Sequence, residues 1–91
     1  MYSITSYSFK KAKLLNVDIQ PSKHKNKKID VYKNGKFICS IGNLKYLDFP
    51  TYQAKYNLEY AKKRQALYHL RHNKEKNMTG TAGYYAFHIL W

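Results

Sequence analysis

The sequence predicts a small α+β domain in which a three-stranded antiparallel sheet packs against one main helix and a short C-terminal aromatic helix. Three observations lead to this fold class: an alternating segment at residues 14–20, an Asn34-Gly35 dipeptide between two β-rich runs, and a stretch of helix formers at residues 52–73. The chain has 91 residues, the size of one domain with one core. We expect a single α+β domain over residues 14–91, preceded by an N-terminal arm or short strand over residues 1–13.

The first predicted strand of the meander is Leu14–Gln20. Its apolar residues alternate with polar ones, which is typical of a strand with one buried face. Pro21 ends this strand. A basic loop then follows at residues 22–28, with four lysines and no acidic residue.

A β-hairpin is the clearest local signal in the sequence. Lys28–Lys33 and Lys36–Ile41 flank Asn34-Gly35, and both turn residues tolerate the positive φ angles of a type I′ turn. A two-residue loop predicts these cross-strand pairs: Lys33 with Lys36, Tyr32 with Phe37, Val31 with Ile38, and Asp30 with Cys39. Both faces then carry an apolar pair, so we expect one face on the core and the other covered by another element or by a partner.

The main helix is predicted over Tyr52–Asn73, which contains neither glycine nor proline. Its tyrosines and leucines recur with a period of about 3.6 residues, typical of a helix with one apolar face. Asn57 offers an alternative, in which it caps a second helix and divides the region into a short turn and a longer helix. The tyrosine stripe is interpreted as facing the core, with base stacking as the alternative.

The second predicted helix is Thr81–Trp91, because its aromatic residues recur at i, i+3, i+4 and i+7. If this segment is buried, it covers a small core; if it is exposed, it is an assembly surface. The residues predicted for such a protein interface are Tyr84, Tyr85, Phe87 and Trp91.

The net charge is +12, from 17 Lys and Arg against 5 Asp and Glu. A polyanionic partner relieves the self-repulsion of such a surplus, and lysines that neutralise phosphates release counterions. Lysine predominates over arginine, which favours backbone contact over base reading. Two alternatives explain the lysine surplus without a polyanionic partner: the lysines solvate every face of a small domain, or they reflect an A+T-biased genome. The predicted nucleic-acid-binding residues are Lys23, Lys25, Lys27, Lys28, Lys33, Lys36, Lys62, Lys63, Arg64 and Arg71.

No pattern in the sequence is typical of an enzyme, a cofactor site or a metal site. The five acidic residues are dispersed without the spacing of a catalytic dyad. Cys39 is interpreted as a small buried hydrophobe, and as a lone cysteine it excludes an internal disulfide. His69 and His72 lie at i, i+3 but lack a nearby carboxylate or thiolate, so they make a weak metal site. We therefore predict no enzymatic activity, no cofactor and no metal.

The sequence also argues against membrane insertion and secretion. No run approaches the roughly 20 apolar residues of a spanning helix. Met1–Lys13 lacks the long apolar stretch of a secretory signal. These observations predict a protein of the interior of a cell or of a virus particle.

Four segments together resemble a family of small, basic, single-domain proteins of unknown function from large DNA viruses of algae and protists and from some bacteriophages. The segments, in the order typical of that family, are Gln20–Gly42 (QPSKHKNKKIDVYKNGKFICSIG), Tyr46–Phe49, Leu67–His72 and Thr81–Trp91 (TAGYYAFHILW). The chain departs from the family at Phe87, where arginine is usual, and in a less arginine-rich Tyr56–Ala66. The family's chain usually continues past Trp91, and Met1–Lys13 has no counterpart in it.

The resemblance implies a viral origin and a self-contained α+β domain, and brings no activity or catalytic residues. Two hypotheses follow. The first is a viral protein that binds nucleic acid, DNA in preference to RNA, through the phosphate backbone with little sequence specificity. The second is a minor structural protein of a virus particle, acting as cement or scaffold. A third hypothesis is that the chain inhibits a host protein by binding it through the chain's own basic face. The oligomeric state is not predicted.

Overall fold

The computed structural model describes residues 2–91, which form four α-helices and one three-stranded antiparallel sheet. The elements in chain order are α1 (Ser6–Leu14), β1 (Asp18–Pro21), β2 (Lys27–Lys33), β3 (Lys36–Asn43), α2 (Phe49–Lys55), α3 (Leu58–Arg71) and α4 (Ala82–Ile89). A 3-10 turn at Asn73–Asn77 connects α3 to α4. The predicted α+β class and three-stranded meander are confirmed. Within residues 2–91, no helix has both the length and the apolar character needed to cross a membrane.

The hairpin turn forms where the sequence predicted it. Asn34 and Gly35 have φ angles of 53° and 79°, the left-handed pair that a type I′ turn requires. The first two cross-strand pairs, Lys33 with Lys36 and Tyr32 with Phe37, agree with the prediction.

Beyond these pairs the predicted register is wrong, because β3 contains a β-bulge. Val31 pairs with Cys39 instead of Ile38, and Asp30 pairs with Ser40 instead of Cys39. A bulge adds one residue to one strand, which the turn type alone does not predict. Its effect is to bring the hydroxyl of Ser40 within 2.6 Å of the Asp30 carboxylate.

The N-terminal segment is a helix and not the predicted arm or short strand. Helix α1 begins after Thr5, whose hydroxyl accepts a hydrogen bond from the Ser8 N–H at 3.3 Å. The predicted strand at residues 14–20 is correspondingly shorter, since β1 begins only at Asp18. The helix buries only Ser8 and Ala12, two small residues four positions apart, so it has no apolar stripe to read from the sequence. The prediction for Met1 lies outside the described residues.

The core lies between the sheet and the two terminal helices. The most buried apolar side chains of the sheet are Ile29, Val31 and Ile41, and they cluster with Ile89 and Leu90 at the end of α4. The prediction placed the main helix against the sheet. The contacts instead join α4 to β3 and α1 to β1, while α3 packs on α2. The reason is composition, because α4 is strongly apolar whereas α3 is polar.

The predicted helix at residues 52–73 is divided at Asn57, as the alternative interpretation proposed. The Asn57 side chain accepts a hydrogen bond from the Tyr60 N–H at 2.8 Å and so caps α3. Helix α3 fully buries only Ala61. The other predicted helix is also present, because α4 begins after Thr81, whose hydroxyl accepts a hydrogen bond from the Tyr84 N–H.

A buried ion pair joins the sheet to α2. The Lys28 ammonium lies 2.9 Å from Asp48 Oδ2, and their side chains are 5% and 0% exposed. The Tyr2 hydroxyl donates to the same oxygen at 2.7 Å, while Oδ1 accepts the Thr51 N–H at the start of α2. Burial raises the pKa of the Asp48 carboxyl, but the hydrogen bonds from Thr51 and Tyr2 and the charge of Lys28 outweigh it and lower the pKa.

A second buried carboxylate, Asp30, anchors the basic loop to the sheet. It accepts hydrogen bonds from the hydroxyls of Ser22 and Ser40, both at 2.6 Å, and from the Lys23 N–H at 3.2 Å. His24 Nδ1 lies 3.2 Å away. Burial raises the pKa of the Asp30 carboxyl, but these hydrogen bonds outweigh it and lower the pKa to about 2.

Replacing Lys28 with methionine tests the buried pair. We expect Lys28→Met to lower the free energy of unfolding by about 3 kcal/mol, because it leaves the Asp48 carboxylate buried without its cation. The matched control is Lys27→Met, which removes an exposed charge next to it and is expected to change stability by less than about 0.5 kcal/mol. Urea unfolding followed by circular dichroism measures both. Equal losses in the two variants would contradict the role of the pair.

Acid should destabilise the protein through its two buried carboxylates. The pKa of Asp30 is about 2 when folded, against an ordinary value of 3.8, so the folded state favours the ionised form. The stability it contributes is therefore fully present above about pH 4 and is lost as the pH falls toward about 2. Urea midpoints measured from pH 7 to pH 2.5 should show this loss. In the Asp30→Asn variant the loss of stability between pH 7 and pH 2.5 should be smaller. A pH profile identical to that of the wild type would show that Asp30 is not the origin of the acid sensitivity.

Candidate nucleic-acid interface

A cleft of about 550 Å³ opens where the start of β2, the end of β3, α3 and the C-terminal residues meet. This volume lies within the range of about 300–1,000 Å³ typical of small-molecule pockets. Basic side chains and aromatic rings line it together. The basic residues are Lys27, Lys28, Arg64, Arg71 and His72, and the aromatic residues are Tyr46, Tyr52, Tyr68 and Trp91.

Helix α3 presents both arginines of the sequence to this cleft. Arg64 and Arg71 are seven residues apart, which is two helical turns, so they lie on one side of the helix. The Arg64 guanidinium carbon lies 5.5 Å from the centroid of the Tyr52 ring. This cation–π contact holds the guanidinium at the cleft.

Stacked rings form the aromatic part of the cleft. Tyr68 stacks on Trp91 with a centroid distance of 4.4 Å and an interplanar angle of 7°, and on His72 at 4.2 Å. The Trp91 carbonyl oxygen accepts a hydrogen bond from Gln65 Nε2 at 2.7 Å. Burial, with a smaller contribution from Glu75, raises the pKa of Tyr68 to about 12, so its phenol is neutral at physiological pH.

Three of the ten predicted nucleic-acid-binding residues come together here with their charges outside the core. They are Lys27 from β2 and Arg64 and Arg71 from α3, all exposed or half-buried. Lys28 also borders the cleft, but its ammonium is buried against Asp48. The prediction that Lys28 contacts phosphate is therefore wrong, because its charge is already neutralised inside the protein.

The remaining lysines of the predicted set lie elsewhere on the surface. Lys23 and Lys25 are exposed in the loop before β2. Lys33 and Lys36 are at the hairpin tip, about 20 Å from Lys27 at a rise of about 3.3 Å per residue along β2.

Lys62 and Lys63 do not extend the arginine surface of α3, although they precede Arg64 directly. Both are exposed. Consecutive residues on a helix are rotated by about 100°, so neighbours in sequence do not face the same way. Lys62 and Lys63 therefore point away from the side of α3 that carries Arg64 and Arg71, and neither lines the cleft.

Two of the four residues predicted for a protein interface are part of the interior. Tyr85 is 4% exposed and Phe87 is 7% exposed. Helix α3 covers Phe87 directly, since the His69 ring stacks on it at 4.3 Å. Tyr85 and Phe87 are therefore unavailable to a partner, whereas Tyr84 and Trp91 are half-buried.

The histidines considered as metal ligands have other contacts. His69 Nε2 faces the Trp91 carbonyl oxygen at 3.3 Å, and His72 Nδ1 faces Glu75 at 3.2 Å. Burial lowers the pKa of His69, and the charge of Lys11 adds to this effect. Among residues 2–91, no three His, Cys, Asp or Glu side chains are grouped as a metal ion requires.

A serine, a histidine and an aspartate also meet at the base of the basic loop. His24 presents the same nitrogen, Nδ1, to Ser40 at 3.0 Å and to Asp30 at 3.2 Å. A catalytic triad uses the two imidazole nitrogens for different partners, the hydroxyl and the carboxylate. This cluster is therefore arranged as an anchor for the loop and not as a triad.

The tyrosines of the cleft were not among the predicted site residues. A helical projection would have identified Tyr68, which lies four residues after Arg64 and three before Arg71 and so shares their side of α3. No local pattern places Tyr46 or Trp91 beside the arginines, because they reach the cleft through the tertiary fold; Trp91 was predicted only as part of a protein interface.

Cationic side chains beside aromatic rings suit a ligand that carries both phosphates and flat rings. Comparison of the chain with protein-family models, with curated proteins and with solved structures gave no match. The chemistry of this cleft is therefore what indicates a ligand.

Proposed function

We propose that the protein binds nucleic acid through the phosphate backbone, with little sequence specificity, and that the cleft is the centre of this interface. The observation that carries the proposal is the convergence of Lys27 with Arg64 and Arg71, from elements far apart in sequence, on one cleft. Guanidinium groups bind phosphate oxygens in a bidentate manner, and a lysine adds a point charge.

The distribution of the acidic residues supports this proposal. None of the residues described as lining the cleft is acidic. Asp30 and Asp48 are buried and hydrogen-bonded, and Glu75 faces His72 at 3.2 Å. The cleft thus keeps the positive potential of a chain with a net charge of +12, which attracts a polyanion.

The resemblance to a family of viral proteins suggests where such binding takes place. A small basic protein of viral origin encounters the genome in the virus particle or in the interior of the host cell. Under this proposal DNA is the preferred partner, as expected for a protein of a large DNA virus.

Removing both arginines should weaken binding through the loss of two phosphate contacts. We expect Arg64→Ala/Arg71→Ala to lower the affinity for a labelled 20-nucleotide DNA by at least about tenfold at 50–100 mM salt. The matched control, Lys62→Ala/Lys63→Ala, removes the same charge from the same helix outside the cleft and should have a much smaller effect. Circular dichroism checks that both variants fold.

The salt dependence of the same titration tests the mechanism. Three phosphate contacts on a single strand predict a log–log slope of about −2, and the double arginine variant should reduce its magnitude by about 0.7 per lost contact. Fluorescence anisotropy between 50 and 300 mM NaCl measures this slope. A slope near zero, or no binding at about 50 mM salt, would overturn the proposed function.

A second candidate, a minor structural protein of a virus particle, has separate support from exposed apolar side chains. Leu67 and Leu70 are 48% and 77% exposed on α3, and they are neighbours at i, i+3 on the helix surface. Exposed apolar surface of this kind is typical of contacts with other proteins.

Quantitative mass spectrometry of purified virus particles tests this second candidate. A particle component should be present at many copies per particle, because cement and scaffold proteins follow the number of capsid subunits. Absence from the particles, or only a few copies, would contradict it without affecting the proposed binding of nucleic acid.

A further inference from the structure

We propose that the cleft receives a nucleotide of a single strand, with the base against the exposed ring of Tyr46 and the flanking phosphates on Arg64 and Arg71. The chemical group recognised is a nucleoside phosphate, which either a nucleic-acid strand or a free nucleotide can supply. This inference rests on the proposed function and deepens it by naming the form of nucleic acid that is bound.

The first argument concerns which forms of nucleic acid expose a base. A volume of about 550 Å³ is that of a site for one small ligand. In a duplex each base is paired and stacked between its neighbours, so its faces are not available to the cleft. A single strand can turn its bases outward onto aromatic side chains, and stacking of this kind is tolerant of sequence.

The second argument concerns the aromatic rings themselves. Tyr46 lines the cleft and is 69% exposed, so most of its ring faces solvent. Tyr68 and Trp91 stack on each other at 4.4 Å, and the Gln65 side chain holds the Trp91 backbone through a hydrogen bond of 2.7 Å. His72 stacks on Tyr68 as well, so both faces of the Tyr68 ring are covered and the ring offered to a flat base is that of Tyr46, beside an ordered aromatic pair.

The third argument concerns the spacing of the cations. Seven residues of helix separate Arg64 and Arg71 by about 10 Å along the axis. Two long side chains can converge across this distance on the phosphates that flank one nucleotide. The Arg64 guanidinium already lies over the Tyr52 ring, so less of its side-chain freedom is lost on binding.

Trp91 provides a direct measurement, because it is the only tryptophan in the sequence and it lines the cleft. Its fluorescence is recorded while the protein is titrated with oligo(dT) of 12 nucleotides, with a 12-base-pair duplex, and with thymidine 5′-monophosphate. We expect the single strand to bind at least tenfold more tightly than the duplex and to change the Trp91 emission. The mononucleotide should give the same change at much higher concentration.

The outcomes separate this inference from the proposed function. A duplex that binds as tightly as the single strand, with a normal salt slope and unchanged Trp91 emission, overturns the inference and leaves the proposed function intact. If neither the single strand nor the duplex binds at low salt, both this inference and the proposed function are overturned. A mononucleotide that binds as tightly as the oligonucleotide would show that the cleft is a site for free nucleotides, and it would overturn binding of a strand.

Tyr46 offers the sharpest variant. We expect Tyr46→Ala to lower affinity for oligo(dT) about tenfold, the order of one lost base–aromatic stack, without changing the salt slope. Tyr46→Phe keeps the ring and should bind like the wild type. Phe9→Ala removes an aromatic ring that is 51% exposed on α1, outside the cleft, and is the matched control. Equal binding by Tyr46→Ala and Phe9→Ala would contradict the stacking role.

Discussion

The buried pair between Lys28 and Asp48 is the constraint on which the rest of the structure depends. It joins the beginning of β2 to the cap of α2, and Tyr2 brings the N-terminal segment to the same carboxylate. Gly42 makes room for it, because a Cβ at this position would lie only 2.9 Å from the side chains of Lys28 and Leu90. A cation that would be expected on the surface thus organises the interior, and the adjacent Lys27 stays at the cleft.

The two buried carboxylates separate the basic residues that support the fold from those whose charges remain exposed at the surface. Asp48 neutralises the one lysine that is buried, and Asp30 holds the basic loop through hydroxyl and backbone donors. A buried charge is tolerated only when its partners are complete, and each carboxylate has at least three. With two of the five acidic residues held inside in this way, fewer acids remain at the surface to compete for the exposed cations.

Features encoded by neighbouring residues could be predicted from the sequence, and features made by distant residues could not. Asn34-Gly35 determines the turn and the first two pairs of the hairpin, and Asn57 caps α3. Helix α1 gave no apolar pattern, since it buries only small residues. The cleft forms between residues far apart in sequence, so its arginines could be named while their aromatic surroundings could not. The partner of Lys28 lies twenty positions along the chain, and no local rule identifies it.

The bulge in β3 limits how this strand can vary during evolution. Side chains alternate between the two faces of a sheet, so one further residue between Gly35 and Ile41, in addition to the bulge, would reverse every later position of the strand. Ile41 would then turn from the core to solvent, and Ser40 would leave Asp30. We therefore expect relatives of this chain to lack insertions in this segment and to place them in the surface loops.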